Sequence, residues 1–188
     1  MIDPFPPSLT SPRLLLERLE PGMEEPLQEV FKAAGDHFTT ITGRPEPDPD
    51  AARREIEATS SVAGREVFLL RLRADTEAVG AVGWWEGHPE PDIALLGMLL
   101  VVAQRRRMGI GREALEMLED ALRRRGIREL RTGVGAGDSG RQQLLLSLGF
   151  VPLDERKHIA LDRGRVMIAL FRKALGGEGG GMGERVNG

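Results

Sequence analysis

The 188-residue sequence predicts an α/β (α+β) fold in a single domain. Three observations carry that prediction. Strand-like and helix-like segments alternate along the chain; an apolar strand, a glycine turn, a long amphipathic helix and another strand follow one another across 92–135; and the length suits one well-buried core but not two. The 92–135 unit is the pattern of a right-handed crossover between parallel strands.

The elements follow in order. "RLLLERL" at 13–19 reads as a strand leaving a Pro-rich start, and residues 1–12 read as an N-terminal extension. "GMEEPLQEVFKAAG" at 22–35 sets Met23, Leu27, Val30, Phe31 and Ala34 on one helical face. Asp48 and Pro49 suit the cap and first turn of a helix reaching about Ala58. "REVFLLRLR" at 65–73 and "EAVGAVGWWEG" at 77–87 read as strands around a short turn, and "HPEP" breaks the second. "DIALLGMLLVVA" at 92–103 is a continuous apolar run, the look of a central strand covered on both faces.

The helix after it places Ile110, Ala114, Leu115, Leu118, Ala121 and Leu122 in one stripe. Its acids come early and Arg123, Arg124 and Arg125 come late, which suits the helix dipole; Glu119–Arg123 and Asp120–Arg124 form i,i+4 pairs. This triplet reads as a solvated helix end. "RELRTGVG" at 128–135 is the next strand, "DSGRQQLLLSLGF" a short helix ending at Gly149, and "RVMIALFRKAL" at 165–175 a last strand. The domain thus runs over 13–175, with a Gly-rich flexible tail at 176–188.

Composition narrows the function classes. Hydrophobic residues make up 40% and charged residues 29%, as in ordinary soluble domains. No apolar stretch is long enough to span a bilayer, and "MIDPFPPSLTSPR" lacks the basic and apolar regions of a secretory signal, so a cytoplasmic protein without a membrane partner is expected. The absence of cysteine excludes disulfides, thiolate zinc sites and a cysteine nucleophile, and no metal is expected. Lys32, Lys157 and Lys173 are the only lysines among 26 basic residues, so arginine richness is chain-wide and no single cluster stands out by composition. The net charge is -3 and no aromatic interleaves the arginine triplets, which argues against a nucleic-acid partner.

Two glycine turns compete as phosphate sites. Gly109-Ile110-Gly111 opens the long helix, where free amides and the dipole's positive end face outward, and Arg106 and Arg107 stand beside it. A plain solvated turn explains the same residues, and from spacing alone both readings stand. "GAGDSG" at 135–140 matches the letters of a dinucleotide-binding loop, but its helix is barely two turns long and Asp154 and Glu155 lie on no clear second parallel strand. That motif reads as a strand-to-helix loop.

Arg106-Arg107-Met108-Gly109-Ile110-Gly111, followed by "DSGRQQLLLSLGF" at the usual separation, resembles the Gcn5-related N-acetyltransferase (GNAT) family. That family carries Gln/Arg-x-x-Gly-x-Gly/Ala between its fourth strand and third helix, and many members later carry Asn, a helix and Leu-Gly-Phe. Here Leu148, Gly149 and Phe150 are in register and Asp138 stands at the Asn position. "HFTTITGRP" and "VGWWEGHPEPDIALLGMLLV" point to a poorly characterised bacterial branch.

The resemblance implies a mixed, mostly antiparallel twisted sheet with flanking helices and one splayed parallel strand pair. It implies acetyl-coenzyme A (acetyl-CoA) bound in the V between those two strands. The pyrophosphate would sit on amides from Arg107 to Gly111, extending to Arg112, with Arg106 and Arg107 in the anion cradle and Arg105 solvated. Leu99, Leu100 and Val101 would offer strand amides and carbonyls to the pantetheine arm, and Asp138 would line the other wall.

The sequence departs from the family where proton transfer is handled. The position of the usual general base is Leu95, that of the usual tyrosine acid is Leu145, and the chain has no tyrosine. Substitute groups near the mouth are Glu86, His88, Glu90 and Asp92, with Glu86 and His88 the catalytic candidates; a solvated hairpin explains all four as well. His37 suits either an acceptor pocket or a cap. The expected activity is an N-acyltransferase, acetyl-CoA-dependent, acting on an amine of a small molecule or peptide by direct attack on the thioester. The alternative is a coenzyme A-binding sensor without turnover. The acidic chain mildly favours a cationic acceptor. Leucines at 95 and 145 leave room for an apolar tunnel and a longer acyl group, and since dimers are common in such families a homodimer stays open.

Overall fold

The computed structural model describes residues 5–35, 44, 46–74, 76–161 and 164–176. Eight strands form one sheet: β1 (Ser8–Thr10), β2 (Leu14–Arg18), β3 (Arg65–Leu72), β4 (Ala78–Glu86), β5 (Ile93–Val101), β6 (Glu129–Gly135), β7 (Val151–Leu161) and β8 (Gly164–Ala174). Their spatial order is β1-β2-β3-β4-β5-β6-β8-β7, and only β5 and β6 run parallel. Among the described residues the α-helices are α1 (Glu24–Ala33), α2 (Ala51–Ser61), α3 (Ile110–Arg124) and α4 (Ser139–Ser147). The fold is mixed α/β with a mostly antiparallel sheet, as expected.

Side chains alternate between sheet faces, so cross-strand partners share a face. Val67, Gly83 and Met98 are register partners and face α1 and α2. Phe68 and Trp84 face the other side, where Phe5 packs edge-on against both rings at centroid distances of 5.6 and 4.7 Å. The α3 stripe packs there too, with Ala114, Leu118 and Leu122 fully buried. Burial of this kind is worth about 1.5–3 kcal/mol for each large aliphatic side chain.

Three local readings need correction. The fold takes in residues before 13: Phe5 is 2% exposed in the core, and β1 pairs with β2 from Ser8↔Glu17 to Thr10↔Leu15. The cap of α2 falls at Asp50 rather than Asp48, whose Oδ1 instead accepts from the Asp50 amide at 3.0 Å. β7 lay hidden in the sequence, because Pro152 and the charged run Asp154–His158 disguise it; a strand at the sheet's edge tolerates both. The tail from 177 and His37 lie outside the described residues.

Candidate functional site

β5 ends where the chain must turn sharply into α3. Val102 bonds back to Val79, one 3-10 turn covers Ala103–Arg105, and Gly109 takes a left-handed φ of 78° that favours glycine. Glu113 is the first amide to bond back into the helix, on the Gly109 carbonyl at 3.0 Å. The amides of Ile110, Gly111 and Arg112 therefore have no intrahelical acceptor and point along the positive end of the dipole. At Gly111 a Cβ would meet only Val101 Cγ2, at 3.5 Å, so packing alone does not demand a glycine there.

This turn forms the floor of a cleft of about 550 Å³. Leu99, Leu100 and Val101 make one wall; Asp138, Arg141, Leu144 and Leu148 make the other. Of the expected cofactor residues only Met108 is missing from the lining, its side chain lying 50% exposed. Five arginines and one acid surround the space, a field that favours anions. Arg112 donates to the Ser147 carbonyl at 2.9 Å, and Arg141 reaches Asp138 at 3.5 Å. Asp138 also caps α4, accepting from the Arg141 amide at 3.0 Å.

The first arginine triplet divides its labour differently from the expectation. Arg105 is not simply solvated, because it forms an ion pair with Glu77. Arg106 lines the cleft but also braces backbone: Nε donates to the Val101 carbonyl at 3.2 Å and Nη2 to the Ala34 carbonyl at the end of α1. Arg107, at a left-handed φ of 60°, has an exposed side chain without an ion-pair partner among the described residues.

A strut invisible to local sequence reading supports the turn. Arg13 donates to Glu113 Oε2 at 2.7 Å and to the Met108 carbonyl at 3.2 Å, while Ser11 donates to Glu113 Oε1 at 2.5 Å. Burial pushes the Glu113 carboxyl up, but Ser11 and Arg13 together hold it below the ordinary glutamate value. Ser11 and Arg13 stand about a hundred positions before Glu113, and the packing of β2 against α3 brings them together.

The parallel pair parts just above this cleft. β5 and β6 pair from Ile93↔Glu129 to Leu96↔Thr132, and the buried Thr132 hydroxyl donates to the Leu96 carbonyl at 2.9 Å, closing the last rung. Beyond it β6 pairs only with β8 and β5 only with β4. Gly97 is the extra residue of a bulge at that level, unmatched in the β4 register.

A second cavity of about 440 Å³ opens on the α1–α2 face of β5. Phe31, Val67, Trp85, Leu95 and Met98 line it, with Asp48–Arg54 paired at 3.1 Å and Glu55–Arg65 at 2.6 Å. Leu95 thus faces this cavity, whereas Leu145 is buried in the core and leaves the cleft wall to Leu144 and Leu148. The two leucines line no common tunnel. Trp85 stacks on His88 at 3.8 Å, and His88 itself is not among the residues that line the cavity.

Glu86 does not serve the mouth. Its carboxylate, 7% exposed, accepts from Arg125 Nε at 2.8 and 3.0 Å on the Trp84 face of the sheet. The hairpin after it is also engaged: Arg128 pairs with Asp92 and holds that carboxyl below its usual value. Glu90 is exposed. The Arg123–Arg125 triplet is accordingly no plain solvated end, since Arg125 is half-buried against Glu86 and lies 5.2 Å from the Phe5 ring centroid, and Arg123 donates to the Leu175 carbonyl at 3.0 Å. Only Arg124 matches the expectation; its Asp120 partner bonds Arg123 instead.

The family model for the acetyltransferase (GNAT) family matches residues 27–150, which spans both walls of the arginine-rich cleft. The chain belongs to the GNAT acetyltransferase family. Solved structures agree in fold. An acetyltransferase from Thermus thermophilus is 23% identical with a TM-score of 0.69, covering 86% of this chain and 96% of its own. A GCN5-related N-acetyltransferase from Brucella melitensis is 15% identical with a TM-score of 0.73, covering 92% and 81%. The ribosomal-protein-S18-alanine N-acetyltransferase from Escherichia coli is 19% identical with a TM-score of 0.62, covering 93% and 99%. No curated protein matches the sequence. Among the described residues of this GNAT domain, no helix is long and apolar enough to cross a membrane.

Proposed function

We propose that this GNAT domain transfers an acetyl group from acetyl-CoA to the amine of a small molecule or peptide. The observation that carries the reading is the meeting of two spaces at one strand. The arginine-rich cleft runs along β5 from Val101 to Leu99, and the apolar cavity opens on the same strand at Leu95 to Met98.

The residues fit the donor. The amides from Arg107 to Gly111, extended by Arg112, receive a pyrophosphate, and the Arg107 guanidinium adds a charge-assisted contact. Leu99, Leu100 and Val101 lie on the edge of β5 that β6 has left, where backbone groups are open to a pantetheine arm. The thioester then lies near Gly97, and the acceptor amine reaches it from the 440 Å³ cavity. Rate enhancement comes chiefly from holding the two reactants together. A thiolate with a solution pKa of about 8.5 leaves without a dedicated acid, so Leu145 is compatible with turnover.

A second reading, a coenzyme A-binding sensor without turnover, is favoured by one cluster of observations: Leu95 is apolar, Leu145 faces the core, and Arg125 holds Glu86. One plate separates the two. Acetyl-CoA raises the melting temperature by mass action, and Gly111→Asp, which sets a carboxylate where the anion sits, abolishes the shift. Free thiol released in proportion to an added amine establishes the transferase; a shift with no release from any amine selects the sensor. No shift in the wild-type protein would falsify both.

A further inference from the structure

Resting on the acyltransfer reading, we propose that the acceptor is a single amine carried on a flat, apolar body, an arylalkylamine or aromatic amine, rather than a polyamine or aminosugar. The chain's net charge of -3 suggests the opposite, but the acids that line the cavity are paired with arginines. Among the described residues three carboxylates line the cavity, and Asp48 and Glu55 are already bound to Arg54 and Arg65. Glu66 alternates to the other sheet face and pairs with Arg18 at 3.1 Å. A polycation entering here would have to displace arginines to find negative charge.

Among the described residues the other walls are apolar and come from four elements: Phe31 of α1, Val67 of β3, Trp85 of β4, and Leu95 and Met98 of β5. Trp85 is a fixed wall, because its indole nitrogen donates to the Ala63 carbonyl at 3.0 Å and His88 stacks on the ring. A flat ring is the body that pairs best with a fixed indole. At Gly97 a Cβ would meet only the Gly83 carbonyl oxygen, at 3.9 Å, so the floor beside the thioester is bare backbone. A volume of 440 Å³ suits a small molecule. In the transfer the amine nitrogen bonds the acyl carbon as the C–S bond breaks. The nitrogen's proton passes through water to the departing thiolate. An aromatic amine, being weakly basic, arrives already neutral; an arylalkylamine arrives as its ammonium and first gives up a proton to solvent water, since Leu95 stands at the usual base position.

The experiment uses the full chain with acetyl-CoA and reads thiol release for tryptamine, phenethylamine, isoamylamine and spermidine, alongside Trp85→Ala and Trp85→Phe. The two aryl amines should exceed spermidine in kcat/KM by at least about tenfold. Trp85→Ala should raise KM for the aryl amines more than for isoamylamine, Trp85→Phe should restore most of the loss, and the acetyl-CoA melting shift should persist in both variants. Preference for spermidine, an equal KM effect on all amines, or a shift without release from any of the four overturns the inference. Loss of the wild-type shift overturns the acyltransfer reading beneath it.

Discussion

Two arginine triplets flank α3, one at each end, and in the sequence they look alike. Arg105–Arg107 precede the helix and Arg123–Arg125 close it. Helix-dipole reasoning makes the second triplet favourable and the first unfavourable, since cations belong at the C-terminus. The structure resolves the contrast in another way. At the C-terminal end, the half-buried Arg125 neutralises Glu86, and Arg123 bonds the Leu175 carbonyl and Asp120. At the N-terminal end, Arg105 and Arg106 brace the turn and leave Arg107 facing the cleft. A triplet placed against the dipole is tolerated where an anion is to be received; one placed with the dipole needs no ligand.

The sharpest way to break this comparison is at Arg125. Arg125→Ala leaves the Glu86 carboxylate buried and unpaired, which should cost about 3–5 kcal/mol in urea unfolding. Adding Glu86→Gln should recover much of that loss, because the uncompensated charge is gone. Arg124→Ala, one residue away and exposed, should stay within about 0.5 kcal/mol. If Arg124 and Arg125 lose the same stability, the second triplet is an ordinary solvated end after all.

At the other end the effect should fall on binding. Arg107→Ala removes the charge facing the cleft and should weaken acetyl-CoA binding by about tenfold, the scale of one charge-assisted contact. Arg107→Gly should lose affinity alike yet melt higher, since the left-handed backbone costs a non-glycine residue about 1 kcal/mol. Calorimetry and thermal melts of the same two variants separate charge from strain. Arg106→Ala should do the reverse: it releases the Ala34 and Val101 carbonyls and should lower stability by about 1 kcal/mol, with a smaller change in affinity than Arg107→Ala. Equal affinity losses at 106 and 107 would return Arg106 to the anion cradle.

Much of the cleft was legible in the sequence because it is made of backbone. A glycine turn at a helix mouth and a strand before it declare themselves over a dozen contiguous residues, and Ile110, Ala114, Leu115 and Leu118 are buried as their spacing predicts. The second cavity was not legible. Its walls come from Phe31, Val67, Trp85 and Leu95, brought together by the register of β3, β4 and β5 and by the packing of α1 over them. The same reason hid the Arg13–Glu113 strut, and it misplaced Glu86, whose side chain belongs to the sheet face opposite the cavity. Alternation along β4 shows that Glu86 shares a face with Trp84, but not which face carries the site.

The smallest predicted effect tests that strut through pH. Glu113 has a folded-state pKa below the ordinary glutamate value of 4.5, so folding holds the carboxylate more tightly ionised than the unfolded chain does. Its contribution is therefore complete above about pH 4.5 and fades as pH falls through the lower, folded value. Glu113→Gln should be less stable than the parent at pH 7, and the gap should narrow on acidification below that range. Comparing the two proteins at each pH cancels the other carboxylates, which titrate in both. The acetyl-CoA shift at pH 7 should shrink with the same substitution, because Arg13 loses its anchor while still bonded to the Met108 carbonyl. A gap that stays constant from pH 7 to pH 3.5 would mean that the Ser11 and Arg13 contacts do not favour the ionised carboxyl, and the turn would then owe its geometry to Gly109 alone.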